Sequence, residues 1–262
     1  DRGNEEVEVE VQDGELTVTS RGRNMISRYN EQISLLCNIE GGRLLLGDGS
    51  PTPQVQPVYR VHEAPEPESL DRLEQVLLAL ARAHGVERER LAWRRAGEDG
   101  AEGEPLGAYL ERLHGEDLPG PLKLTVERQC LIANSPSRFT DGPGIHYALG
   151  VRPYSRFSAP MREIVGIFTH KEALEQLGLG PVSLTPEEDE QLRELVIQAG
   201  NQGKERQRAL DRAVRHLAID TLLDKDLQLP LHERPVRSGT VLGLRPSRAY
   251  VRLDNPPLEL KV

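Results

Sequence analysis

Gly144-Ile-His146-Tyr-Ala-Leu-Gly150-Val-Arg-Pro-Tyr154-Ser-Arg156-Phe157-Ser-Ala-Pro160-Met-Arg162, running on to Thr169-His170-Lys171, is the stretch on which the reading of this chain turns. From Pro143 to Phe157 it is rich in glycine, proline and aromatics, a composition of turns and short strands, and the spacing predicts a helix from near Pro160. His146 and His170, like His62 upstream, are isolated in sequence and lack metal-type spacing, so each taken singly reads as a structural, hydrogen-bonding histidine.

Downstream, Thr185-Pro186-Glu187-Glu188 is a capping box with proline at the first helical position. It opens a helix predicted to reach about Leu223, with Gly200 and Gly203 as points where it can break. Beyond it Gly239-Thr-Val-Leu-Gly-Leu, Ala249-Tyr-Val-Arg-Leu and Leu258-Glu-Leu-Lys-Val are three short strand candidates. Upstream, helical spacing covers about 24–46, and a second helix starts at Pro67, carries Leu70, Leu73, Leu77 and Leu80 on one stripe and stops at Gly85. A proline-rich connector, 51–57, joins the two, and the Gly- and Glu-rich stretch from Ala96 to Pro105 is expected to be a mobile loop. At the start, Val7, Val9 and Val11 alternate with Glu6, Glu8 and Glu10; after a turn at Asp13-Gly14, Leu16-Thr17-Val18-Thr19 returns as the second strand of a hairpin with one wet face.

At 262 residues and 37% apolar content the chain is long enough for one large core, or for a domain with a small appendage. No apolar run approaches the roughly 18 to 20 residues of a membrane span, and no charged-then-apolar leader opens the sequence, so a cytoplasmic location is the default expectation. Two cysteines make neither a disulfide framework nor a four-ligand zinc site, and Cys37, in Leu35-Leu36-Cys37, reads as a buried thiol. The net charge of −9 argues against indiscriminate nucleic-acid binding, although a whole-chain sum can hide a local groove. Acidic residues gather at 5–10 and 98–104, whereas 204–208 and 212–215 are locally basic. Walker, GxSxG, HExxH and dinucleotide signatures are all absent.

The stretch quoted first resembles the signature of the RNase II/R (RNB-domain) family, in which a His/Phe/Gly-Leu strand leads through a tyrosine and an aromatic to Ser-Pro-Ile-Arg, a helix and a closing His-Arg. Two further segments fall in the order the family requires. Met25-Ile-Ser-Arg-Tyr-Asn-Glu31-Gln-Ile-Ser-Leu-Leu-Cys-Asn38 is similar to its Glu-Glu-x-Met-x-x-Ala-Asn helix, and Tyr59-Arg-Val-His62-Glu to its Tyr-Arg-Val-His segment. The likeness spans about residues 1 to 224. It implies an α+β fold: an RNB-type nuclease core with a mixed sheet and packed long helices over 1–230, then the opening strands of an OB-type RNA-binding barrel over 231–262.

It also implies a 3′-to-5′ exoribonuclease that threads single-stranded RNA into a narrow channel and uses Mg2+ to activate water against the last phosphodiester. By resemblance, Arg162 clamps the scissile phosphate, a task suited to a guanidinium that offers paired donors and keeps its charge. Glu31 falls where a family carboxylate lies near the RNA 3′ end, and Asp211 where a glutamate assists catalysis. Tyr154, His146, Arg156, Phe157 and Arg208 are the implied RNA-binding residues. On a helix Arg208, Asp211 and Arg215 line one side, just off the stripe Leu210, Ala213/Val214 and Leu217, and without the resemblance that side is an ordinary solvated edge.

The departures are specific. After Ser-Pro-Ile-Arg the family continues Arg-Tyr-Pro-Asp, whereas this chain has Glu163-Ile164-Val165-Gly166, exchanging a positive for a negative charge beside the clamp. Aspartate for glutamate at 211 retracts the carboxylate by about 1.5 Å. The family's metal-binding aspartate cluster has no counterpart here, so metal ligands in this chain are expected to be none. Three readings follow: a C-terminal portion of a longer exoribonuclease, partnered by the missing N-terminal part of the same protein; a degenerate relative that binds RNA without cutting it; or a protein-interaction module. The first is favoured because the chain starts inside one domain pattern and stops inside another.

Overall fold

The structure, a computed structural model, describes residues 6–12, 15–21, 24–47, 55–94, 103–104, 106–182, 184–245 and 247–262. In chain order β1 (Glu6–Gln12) and β2 (Glu15–Arg21) precede α1 (Met25–Leu46), β3 (Tyr59–Val61), α2 (Pro67–His84), α3 (Arg88–Leu91), α4 (Leu106–Gly115) and α5 (Gly120–Ala133). Then come β4 (Arg138–Thr140), α6 (Ile164–Gln176), α7 (Pro186–Leu227), β5 (Gly239–Arg245), β6 (Arg248–Leu253) and β7 (Glu259–Lys261). The chain divides into two compact units, residues 25–65 with 135–207, and residues 1–24 with 66–134 and 208–262.

In the unit of 25–65 and 135–207, β3 pairs antiparallel with β4, Tyr59 opposite Thr140 and Val61 opposite Arg138. Isolated bridges join Tyr59 to Ser155 and His146 to Val151 in antiparallel sense, and His62 to His146 in parallel sense. Val58, Phe139, Val165, Phe168 and Val196 form one buried cluster, and Leu45, Phe157 and Ala173 another. The capping box is present as read: Thr185 N–H donates to Glu188 Oε2 (2.9 Å) and Glu188 N–H to Thr185 Oγ1 (3.3 Å), closing two of the free amides at the start of α7. That helix runs unbroken past Leu223 for 42 residues. Gly200 does not interrupt it, because its missing side chain makes room for neighbours: a Cβ there would stand 2.6 Å from Val165 Cγ2 and 2.9 Å from Phe139 Cδ2.

The other unit holds the β1–β2 hairpin, in register from Glu6↔Arg21 to Gln12↔Glu15. Its Asp13-Gly14 turn and most of its side chains lie outside the described residues; Glu10 is half-buried. α2 ends as read, with Gly85 at φ 63° donating its N–H to the carbonyls of the last turn. Tyr109 of α4 donates to Leu91 O (2.7 Å), and α5 reaches β5 through Thr125 Oγ1 to Val241 O (3.2 Å) and Gln129 Nε2 to Leu242 O (2.7 Å). β5, β6 and β7 form a three-stranded antiparallel sheet with a slipped register between Val241 and Gly243.

Several expectations are corrected. Among the described residues the sheets are three small antiparallel ones, not one mixed sheet, and no barrel closes. The helix after Pro160 starts at Ile164, because residues 160–162 make a separate turn and Glu163 is extended. The family-like strand at 146–150 is a single 3-10 turn, Tyr147–Leu149, closed by Gly150 at φ 66°. Cys37 is exposed while Cys130 is buried, and burial pushes the Cys130 thiol up to about 12. α1 turns Asn38, Gly41, Gly42 and Leu45 inward, and Cys37 sits about 100° round the helix from Asn38. The connector at 51–54 and most of the 96–105 loop lie outside the described residues, and no described helix is long and apolar enough to cross a membrane.

Candidate nucleic-acid interface

The segment 154–163 has no regular structure of its own, so its geometry has to be imposed by side chains. Asn38 supplies most of that. Its Nδ2 donates to Tyr154 OH (2.9 Å) and Ser158 Oγ (3.2 Å), and its Oδ1 accepts from the N–H groups of Phe157 (2.8 Å) and Ser158 (2.9 Å). Both donors and both lone pairs of a fully buried amide are thereby used. Ser155 donates to Val58 O (2.5 Å), Thr169 Oγ1 to Arg156 O (3.0 Å), and His170 Nε2 to Phe157 O (2.9 Å). Gly41 lets the Phe157 ring approach α1 so closely that a Cβ would overlap it. His62 is equally engaged, with Nε2 against Ser135 O (2.5 Å) and Nδ1 accepting from Ala148 N–H (3.0 Å), an arrangement that calls for the Nε2–H tautomer.

The residues singled out from sequence fall into three groups. Tyr154 and Phe157 are buried, Tyr154 through its hydroxyl on Asn38 and Phe157 in the cluster with Leu45 and Ala173. His146 is buried between His62 and Tyr154, ring centroids 5.2 and 5.0 Å away, and its Nδ1 has no hydrogen-bond partner. Burial first, then the charges of Arg60, His62 and Lys204, hold its pKa down at about 4. Arg162 is exposed, Glu31 is half-buried two turns before Asn38 on the same face of α1, and Arg156 is half-buried. Asp211 and Arg208 are exposed on the part of α7 that belongs to the other unit, as are Leu210, Val214 and Leu217 of the stripe beside them.

Glu163, the substitution noted beside the clamp, has a definite partner. Arg156 meets it in a two-pronged ion pair, Nε to Oε2 at 2.8 Å and Nη2 to Oε1 at 2.6 Å. The hydrogen bond from Arg156 holds the Glu163 carboxyl below the usual carboxylate range against its burial, and the charges of Arg156, Arg162 and Arg60 push the same way. Three arginines therefore bear on one carboxylate.

A second charged cluster lies between α6 and the start of α7. Lys171 Nζ stands 2.7 Å from Glu172, 3.1 Å from Glu175 and 2.7 Å from Asp189, all three carboxylates being nearly or fully buried. Burial opposes the ammonium's charge, but hydrogen bonds to Asp189, Glu172 and Glu175 outweigh it and its pKa is raised. Burial likewise lifts Glu172 to about 7, against the hydrogen bonds it accepts from Gln56 N–H and Lys171. Carboxylate atoms of these three residues lie within 4.8 Å of one another, spacing that suits a metal ion. The ammonium already fills the centre, so this set does not fit the Mg2+ that the family likeness implies.

Sequence reasoning quoted Asn38, Arg60 and Lys171 only as parts of motifs and missed Asn201 and the carboxylates around Lys171. The signals were an amide on the Gly41-Gly42 face of α1 and an acidic pair following Lys171; partners distant in the chain were not visible.

No family model and no curated protein matches the chain. Solved structures do. Mycoplasma genitalium RNase R in complex with ribose methylated single-stranded RNA matches 99% of this chain and 37% of its own, at TM-score 0.74 and 16% identity. The same enzyme in complex with double-stranded RNA matches 100% of this chain and 42% of its own, at TM-score 0.76 and 16% identity. Yeast Ssd1, described as a pseudonuclease, matches 88% of this chain and 26% of its own, at TM-score 0.58 and 14% identity. The chain thus shares the fold of part of these proteins and spans about two fifths of the length of RNase R.

Proposed function

We propose that this chain is the RNA-gripping part of an RNase II/R-type 3′-to-5′ exoribonuclease acting on single-stranded RNA, with Arg162 on the scissile phosphate and Glu31 and Asp211 as the assisting carboxylates. The observation that carries the reading is local: Arg60, Arg156 and Arg162 bear on one segment of a chain whose net charge is −9. A buried amide and several backbone hydrogen bonds hold that segment in one conformation, as a phosphate grip requires. The shared fold with an RNase R bound to single-stranded RNA, and with the same enzyme bound to double-stranded RNA, supports RNA as the partner class.

Mg2+ belongs to the proposal only through the family likeness. Its ligands are to be sought outside this chain's described residues, and the chemistry it supplies when bound is a more acidic water. What this chain's own residues do is bind and orient. Arg162 offers planar paired donors to a phosphate, and Arg156 stays committed to Glu163 until a stronger anion displaces it.

A second reading has its own observation. The two-pronged Arg156–Glu163 pair turns a cation of the signature inward, and the carboxylates that could hold a metal are centred on Lys171; both favour a relative that binds RNA without cutting it. One experiment separates the two. A single-stranded RNA incubated with magnesium and a longer parent polypeptide carrying an upstream aspartate cluster shortens from its 3′ end if the first reading holds, and Arg162→Ala abolishes that turnover while weakening binding only mildly. A retarded but uncut RNA supports the second reading, and full turnover in Arg162→Ala removes Arg162 from the mechanism. No retardation by this chain at low salt points instead to an interaction module.

A further inference from the structure

α1 turns one face inward and leaves an apolar one in solvent. Asn38, Gly41, Gly42 and Leu45 are buried, whereas Met25, Ile26, Tyr29, Ile33 and Leu36 are between 60 and 69% exposed. The exposed set is ordered. Ile26, Tyr29, Ile33 and Leu36 follow one another at intervals of three, four and three residues, the a/d repeat of a helix that packs lengthwise on another helix. At 100° per residue this seam lies on the far side of α1 from Asn38, and every residue from 24 to 30 is exposed. Counting about 200 Å² for a fully exposed side chain of this size, the five present on the order of 600 Å² of apolar surface. A patch that large is uncommon on a protein surface unless something packs on it.

We propose that this seam is an interface between two copies of the chain, paired antiparallel along α1 about a two-fold axis midway between Ile26 and Leu36. Two such patches closing on each other bury about 1,200 Å², above the ~1,000 Å² that a specific interface needs. The flanks of the seam suit a second copy. They are Met25, Asn30, Gln32 and Cys37, none of them charged, so identical helices meet no like charge along them. Arg28 and Glu31 fall on other sides of the helix. Charge also sets the direction. The next a position is Glu40, paired with Arg43 at 2.6 Å. Parallel copies would set Glu40 against the partner's Glu40. Antiparallel copies keep the two apart, and Ile26 meets the partner's Leu36 while Tyr29 meets the partner's Ile33, each contact made twice as a two-fold axis requires.

The test is sedimentation velocity on the 262-residue chain from about 1 to about 100 µM, in about 0.3 M salt to screen the repulsion between two chains of net charge −9. The mean mass is expected to climb from one chain toward two across that range. Ile33→Glu sets a charge in the seam at a position 65% exposed, so the fold of the single chain is kept. Its dimerisation midpoint is expected to rise roughly tenfold or more, with the melting temperature of the dilute chain unchanged. Adding Tyr29→Lys places opposite charges across the antiparallel pair and is expected to recover the dimer that Ile33→Glu loses; in a parallel pair the same two changes set like against like. A one-chain mass up to about 100 µM overturns the proposal, as does a dimer that Ile33→Glu leaves intact. Cys37, exposed beside the seam, serves as a reporter. If a longer polypeptide of this protein stays monomeric and shields Cys37 from alkylation, the seam belongs to a further segment of that polypeptide, and the second copy is overturned as well.

Discussion

Around Lys171 one cation meets three carboxylates, whereas around Ser137 two cations meet one neutral oxygen, and both clusters belong to the same compact unit. The first can settle its own charge. Lys171 offers three N–H donors to three acids, and burial leaves Glu172 ready to take up a proton near neutral pH. Its partners are also buried, which is how a fold ties α6 to the start of α7 rather than how it meets a ligand. The second is half-buried, and Arg60 and Lys204 both donate to the Ser137 hydroxyl there.

The widest gap between the two clusters is in stability. Lys171→Met leaves three buried carboxylates around an apolar chain, and breaking a buried ion pair from one side costs about 3–5 kcal/mol. Lys204→Met removes a charge from a site holding another of the same sign, and it should stay within about 1 kcal/mol of the parent. Urea unfolding of the two variants measures both. Equal losses would erase the distinction between the buried cluster and the half-buried one.

Next in size is an opposed pair of pH dependences. His146, near the Ser137 cluster, is held at about 4 in the fold against about 6.5 in a free chain, so its contribution is fully present above pH 6.5 and is lost as pH falls toward 4. Glu172, in the Lys171 cluster, is raised from 4.5 to about 7, so its contribution is fully present below pH 4.5 and is lost as pH rises through 7. Between about pH 4.5 and 6.5 the unfolded chain binds the extra proton at His146 and the folded chain binds it at Glu172, so these two slopes cancel. In Glu172→Gln only the histidine slope survives, and stability in that window is expected to rise with pH by up to about 1.4 kcal/mol per unit. Urea midpoints measured across the window check this; a flat or falling profile in the variant sinks the assignment.

Short-range chemistry was legible in the sequence and long-range chemistry was not. The capping box at Thr185 and Glu188, the stop at Gly85 and the three closing strands are all set by neighbours within a few residues, and each formed where its pattern stood. Gly200 was read as a breaker because glycine weakens a lone helix; what decided its place was the need of Val165 and Phe139, distant in sequence, for the space of a side chain. Cys37 was read as buried from its apolar neighbours. The inward face of α1 was chosen instead by Asn38, whose four side-chain hydrogen bonds go to Tyr154, Phe157 and Ser158, 116 to 120 residues away. Within the candidate site, Tyr154 and Phe157 were identified as aromatic residues of a signature, but their type does not reveal that one is anchored by its hydroxyl and the other fills a core. Arg60 stood in a quoted motif and Lys204 in a basic stretch, but only the pairing of β3 with β4 and the course of α7 bring them to Ser137.

The smallest expected effect concerns a third arrangement, in which a cation meets an acid of its own chain. Arg156 is matched by Glu163 in two short hydrogen bonds, so an RNA phosphate that uses Arg156 has to displace a carboxylate already in place. The pair is only partly exposed, and Arg162 and Arg60 also favour the charged carboxylate. On the proposed RNA-binding reading, Glu163 is a resident competitor for phosphate at Arg156. In Glu163→Gln the amide still accepts one hydrogen bond but carries no charge, and Arg156 becomes available to an incoming anion. Affinity for single-stranded RNA is expected to rise roughly three- to tenfold, with a salt slope steeper by about 0.7. Arg156→Gln added to it should cancel the gain. If Glu163→Gln leaves both affinity and slope unchanged, Arg156 is a fastening of the segment and no part of its grip.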